Sequence, residues 1–184
     1  MSVLFCDIRG FTALTQGMHP DEVIRMLNEH FTPLTRVVNE HHGVVDKFVG
    51  DLIMAIFGAP RNYGNDAYNA ARCALDMMQR RQSLNATSHY DIQIGIGVAS
   101  GPAVAGCMGS ADRLNYTVLG ERVNLASRLC GKAGRMETVI DQTTQQRLGD
   151  LVRVEALPEM ELKGFSARVS AFKLLELRSP QQLL

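Results

Sequence analysis

Short apolar runs alternate along the chain with longer stretches in which apolar residues recur every three or four positions, the periods of strand and helix. Ser2–Asp7 is a continuous apolar run that ends on a carboxylate, and it reads as a buried strand. Pro20 opens a helix that Val23, Met26, Leu27, Phe31, Leu34, Val37 and Val38 carry to about His42, with Pro33 expected to kink it and Gly43 to stop it. Val44–Phe48 and Leu52–Phe57 flank Gly50-Asp51 and read as a hairpin. From Asp66 to about Leu84 the pattern is helical again, with Ala70, Cys73, Ala74, Met77 and Met78 inward and the Met pair as core filler.

In Tyr90–Ser100, Ile92, Ile94, Ile96 and Val98 alternate with small or polar residues, so this run reads as a strand. Gly101-Pro102 then turns the chain into an expected partner strand through Met108. The glycines at 95, 97, 101, 106 and 109 match no GxxxxGK[ST] phosphate loop, and they read as bulges and close packing. Gly120 to Ala133 is helical, Thr138–Asp141 a short strand, and Leu151–Glu176 a hairpin turning at Lys163-Gly164. The leading order βαββαβ predicts an α+β fold with a ferredoxin-like core, extended by additional C-terminal strands and a helix. Residues 1–178 read as one domain and 179–184 as a loose tail; with so little chain ahead of Asp7, the domain reads as cut from a longer polypeptide.

Composition narrows the partners. The 184 residues are 46% hydrophobic and 21% charged, with a formal net charge of zero, the balance of an ordinary globular domain. No cluster of Lys and Arg offers a grip on nucleic acid, and no apolar run approaches a membrane span or a signal peptide. Cys6, Cys73, Cys107 and Cys130 are scattered, which suggests neither a zinc site nor a disulfide framework and makes a reducing cytoplasm the expected setting. His30, His41 and His42 accompany the first long helix and read as surface residues.

The candidate chemistry lies in three places. In Phe5-Cys6-Asp7-Ile8-Arg9-Gly10-Phe11-Thr12 a strand delivers Asp7 into a glycine turn, and Gly50-Asp51 does the same between the hairpin runs. Either Asp alone could cap a turn, but two at adjacent strand ends can share a pair of divalent metals, the arrangement phosphoryl chemistry uses. In Tyr116–Arg128, Asn124 and Arg128 stand four apart and share a helix face. An isolated pair of this kind would read as surface residues; beside two metal-type carboxylates, the Arg can hold a polyanionic transition state and the Asn a sugar.

Together, Phe5–Thr12, Asp46–Asp51 running into Leu52–Gly58, and Tyr116–Arg128 resemble the catalytic domain of class III nucleotidyl cyclases, the adenylyl and guanylyl cyclase family. The resemblance spans Val3 to about Lys173 in the family's order and spacing. It implies that Asp7 and Asp51 bind two divalent cations (Mg²⁺ or Mn²⁺) with the Ile8 carbonyl, while Asn124 orients the ribose and Arg128 meets the transition state. It further implies that Lys47 and Thr117 select the base, that Arg113 contacts the terminal phosphates, and that Lys163 is a weaker candidate for that contact.

The base pair has its own logic. Lys47 can donate to adenine N1 and Thr117 can accept from the N6 amine, whereas guanine presents an N–H donor where the Lys also donates. Guanylyl cyclases of the family typically carry Glu and Cys at these places, so the resemblance implies ATP as substrate. It also implies a head-to-tail homodimer in which one chain supplies both aspartates and the other supplies Lys, Thr, Asn and Arg. The alternatives are a guanylyl cyclase and a non-catalytic dimerisation or regulatory domain of the same fold. The GG[DE]EF signature of diguanylate cyclases is absent. Some members with Thr in the base pocket respond to bicarbonate.

Overall fold

The computed structural model describes residues 1–178; the expected tail, 179–184, lies outside the described residues. The chain opens with β1 (Ser2–Ile8), a single turn α1 (Phe11–Leu14), the long α2 (Pro20–Glu40), the hairpin β2 (Val44–Val49) and β3 (Leu52–Phe57), then α3 (Asp66–Asn85) and β4 (Ile94–Ser100). A second hairpin, β5 (Val104–Ser110) and β6 (Arg113–Leu119), leads into α4 (Glu121–Lys132) and β7 (Glu137–Asp141). The short α5 (Gln142–Leu148) and the strands β8 (Val152–Ala156) and β9 (Ala171–Leu177) complete the described chain.

Among the described residues, seven strands form one sheet in the order β2-β3-β1-β4-β7-β9-β8. Its first four strands, with β1 antiparallel to both β3 and β4, have the ferredoxin-like arrangement expected from the element order. β7 joins β4 in parallel, and β9 and β8 extend the sheet antiparallel. The central strand β1 is apolar at nearly every position because both sheet faces are covered. Leu4, Cys6 and Ile8 pack into the core under α2 and α3, while Val3 and Phe5 face the core under α4. Met77 and Met78 are buried on α3, as filler of the first core.

Several expectations change. α2 holds Pro33 inside one continuous helix that ends at Glu40, and the left-handed residue just beyond its end is His42 (φ 60), not Gly43. β4 starts at Ile94 because the Asn85 amide side chain occupies the Ile92 backbone, accepting from its N–H at 3.1 Å and donating to its C=O at 2.8 Å. β5 does not pair with β4, whose two edges are taken by β1 and β7; it pairs with β6 in a separate two-stranded arm. The strand at Arg113–Leu119 was not anticipated. His30 is fully buried against Arg81, and burial holds its imidazole down to about 3, so it is a neutral core residue and not a surface one. His41 is half-buried on Asp76 at 2.8 Å, and only His42 is exposed, stacked on Tyr63.

Candidate active site

Asp7 lies near the end of β1, and Asp51 sits in the β2–β3 turn, where Gly50 (φ 60) provides the left-handed residue that lets the strands reverse so tightly. Because β1 and β3 are neighbours, the two carboxylates converge. The Ile8 N–H donates to Asp51 Oδ2 at 3.1 Å. Burial, followed by the hydrogen bond to the Asp51 carboxyl, pushes Asp7 up to about 6, although Arg9 at 2.9 Å pulls it down. Arg9 also donates to the Ala133 carbonyl at 3.0 Å, tying the end of β1 to the end of α4. Two crowded carboxylates beside the Ile8 backbone form a hard-oxygen donor set that fits a divalent cation completed by phosphate oxygens and water. Among the described residues, no group of three or more His, Cys, Asp and Glu side chains converges as a ready-made protein cage.

The second cluster forms where β2 meets the β5–β6 arm. The register of β2 slips between Val45 and Lys47, which makes Asp46 the extra residue of a β-bulge. Without the bulge, Asp46 and Lys47 would point to opposite faces. With it, both line one cleft of about 380 Å³ together with Arg113, Leu114, Asn115, Tyr116 and Thr117. Asp46 Oδ2 accepts from Thr117 Oγ1 at 2.9 Å and lies 3.2 Å from Lys47 Nζ. A wider cleft of about 640 Å³ between α2 and α3 contains none of the candidate residues.

α4 carries the third group. It lies flush on the sheet because β4 has glycine at position 97, where a Cβ would come 2.2 Å from the Cys130 nitrogen and 2.3 Å from the Ala126 carbonyl oxygen. Leu125, Ala126, Leu129 and Cys130 are buried beneath the helix, and Asn124 and Arg128 are left on its exposed face. Among the described residues, no hydrogen bond or ion pair joins the Asp7–Asp51 pair, the Lys47–Thr117 cluster and the Asn124–Arg128 face to one another.

The structure thus brings Asp7, Ile8 and Asp51 together, and it gathers Lys47, Thr117 and Arg113 separately. Lys163 stays apart, in a loop cleft formed by residues 161–168 alone. Sequence reasoning missed Asp46 and Arg9 as site residues. The signal for Arg9 was a cation two positions from Asp7; for Asp46 there was none, because the bulge that aims it has no local signature.

The Adenylate and Guanylate cyclase catalytic domain model matches residues 1–176, and the chain belongs to that family. It is similar to "Adenylate cyclase 1" of Rhizobium meliloti (strain 1021), 31% identical over 181 residues, which are 95% of this chain and 27% of that protein. Among solved structures, the guanylyl cyclase Cya2 superposes with a TM-score of 0.91 at 32% identity, covering 97% of this chain and 93% of that one. The adenylyl cyclase CyaB from P. aeruginosa gives 0.88 at 30% identity, covering 96% and 94%. The chain spans 27–34% of the length of the first curated relatives it matches. No helix among the described residues is long and apolar enough to cross a membrane.

Proposed function

We propose that this domain is an adenylyl cyclase, converting ATP to 3′,5′-cyclic AMP and pyrophosphate at sites shared across a homodimer. The observation that carries the choice of ATP is the meeting of Lys47 and Thr117 in one cleft, although they are distant in sequence and come from different sheets. Lys47 donates to adenine N1 and the Thr117 oxygen accepts from N6. A guanine in the same pose would leave both contacts unmet, an error worth several powers of ten in kcat/KM where a polar site is left unpaired.

In the reaction, the ribose 3′-hydroxyl attacks the α-phosphorus and pyrophosphate leaves. Asp7, Asp51 and the Ile8 carbonyl would hold the metal ions, and Arg113 would reach the terminal phosphates from the cleft it shares with Lys47 and Thr117. When bound, two divalent cations lower the pKa of the hydroxyl and neutralise phosphate charge. Asn124 orients the ribose, and Arg128, one helical turn further on, offsets the negative charge that grows as phosphorus becomes five-coordinate. The separation of the residues into groups that do not touch within one chain supports a head-to-tail dimer, in which the aspartates of one protomer face the Lys, Thr, Asn and Arg of its partner. The arm supports it too: a two-stranded sheet is marginal alone, and it exposes Val104, Leu114, Tyr116 and Leu119. The expected setting is the cytoplasm, where ATP and Mg²⁺ are abundant.

The likeness to Cya2 favours a second reading, GTP as substrate. Incubating the domain with ATP and GTP separately, with Mg²⁺ and then Mn²⁺, and quantifying both cyclic nucleotides separates the two. Cyclic AMP in excess, abolished by Asp51→Ala, is the expected result. Cyclic GMP in excess selects the second reading, and no product from a folded dimer selects a non-catalytic domain.

A further inference from the structure

We propose that Asp46 sets the hydrogen-bond polarity of the purine cleft, acting through the Thr117 hydroxyl as a positioning residue for base selection; this rests on the ATP reading above. Its side chain is only 1% exposed although it belongs to the outermost strand of the sheet, and a β-bulge is spent on aiming it inward. One carboxylate oxygen faces Thr117 and Lys47, at 2.9 and 3.2 Å. The other, Oδ1, is buried with no partner among the described residues. Burying a half-satisfied carboxylate is unfavourable, and a neutral Asn or Ser could pin the arm to β2 at lower cost. The charge therefore needs a reason beyond anchoring.

That reason lies in proton direction. A carboxylate has no proton to give, so Thr117 must donate the single proton of its hydroxyl to Asp46. What Thr117 then shows the cleft is lone pairs only. An exocyclic amine, such as N6 of adenine, finds an acceptor there; a carbonyl, such as O6 of guanine, meets another acceptor. The half-exposed Lys47 ammonium has only donors in any orientation, so it offers protons to the ring nitrogen with or without Asp46, and the polarity that Asp46 sets is that of Thr117. Asp46→Ala removes the acceptor and frees the Thr117 hydroxyl proton to point at the base, whereas Asp46→Asn can keep an acceptor there through its amide oxygen.

The test is kcat/KM for ATP and for GTP in the wild-type chain, Asp46→Ala, Thr117→Val and the double variant. The ATP:GTP ratio is expected to fall about tenfold or more in Asp46→Ala. In the Thr117→Val background the same Asp46→Ala change is expected to leave the ratio where Thr117→Val alone puts it. A purely structural Asp46 would slow both nucleotides alike, so an unchanged ratio in an ATP-preferring enzyme overturns the proposal. An equal ratio change with and without the Thr117 hydroxyl overturns it as well. If circular dichroism shows Asp46→Ala to be unfolded, Asp46→Leu, which fills the space without an acceptor, is read by the same criterion. A wild-type chain that prefers GTP fails at the ATP reading itself, visibly before any variant is made, and takes the proposal with it.

Discussion

At Asp7, burial and the neighbouring Asp51 carboxyl raise the acid from 3.8 to about 6. The metal-free fold therefore keeps a proton that the unfolded chain has already released between those values. The stability contributed by protonated Asp7 is complete below the lower value and is lost as pH rises through the upper. A divalent cation competes for the same oxygens, so the rise in Tm on adding Mn²⁺ should be large at about pH 7.5 and small at about pH 5. A rise of equal size at both pH values would show that Asp7 does not hold the ion. Arg128 is exposed and without an ion pair among the described residues, and in the proposed reaction it acts only when charge develops on the substrate. Arg128→Ala should lower kcat by roughly 10²–10³ and leave KM for ATP nearly unchanged, as removal of a transition-state contact does. Most of the candidate residues were legible in the sequence because each sits in a local motif: a strand running into a glycine turn for Asp7 and Asp51, a four-residue helical spacing for Asn124 and Arg128. Asp46 was not, since its place depends on a one-residue slip in register and a partner far along the chain.

Between elements, the contact that fixes the geometry of the site is the seat of α4 on β4. Gly97 opposes the backbone of Ala126 and Cys130, so even a methyl group forces the helix away from the sheet. Gly97→Ala should destabilise the domain by about 2 kcal/mol or more, a fall of roughly 4–8 °C in Tm by thermal denaturation. It should also depress activity beyond what the fraction unfolded explains, because Asn124 and Arg128 ride on the displaced helix. The strands and long helices of the first half were readable from periodicity, since each buries its apolar face locally. The arm was misread because strand pattern does not name a partner. Val104–Ser110 looks like a strand next to β4, yet the edges of β4 are filled by β1, which precedes it, and β7, which follows much later. α5 was not located because a seven-residue helix offers hardly two turns of periodicity, and only the Asp141 cap on the Thr144 N–H, at 3.0 Å, marks its start.

Across the whole molecule, one protomer carries every residue the proposed reaction needs, but in groups that do not meet. If a partner covers the arm, Val104→Lys should leave the Tm of the monomer unchanged, since Val104 is 72% exposed, and should weaken the dimer by about tenfold or more in sedimentation. Activity should then recover as protein concentration rises. The most direct test mixes two inactive chains, Asp7→Ala and Arg128→Ala, and measures cyclic AMP. One heterodimer site would combine the intact aspartates of one chain with the intact Arg128 of the other, so the mixture is predicted to regain activity that neither variant shows alone. Folded mixed dimers that make no cyclic AMP would contradict the shared site.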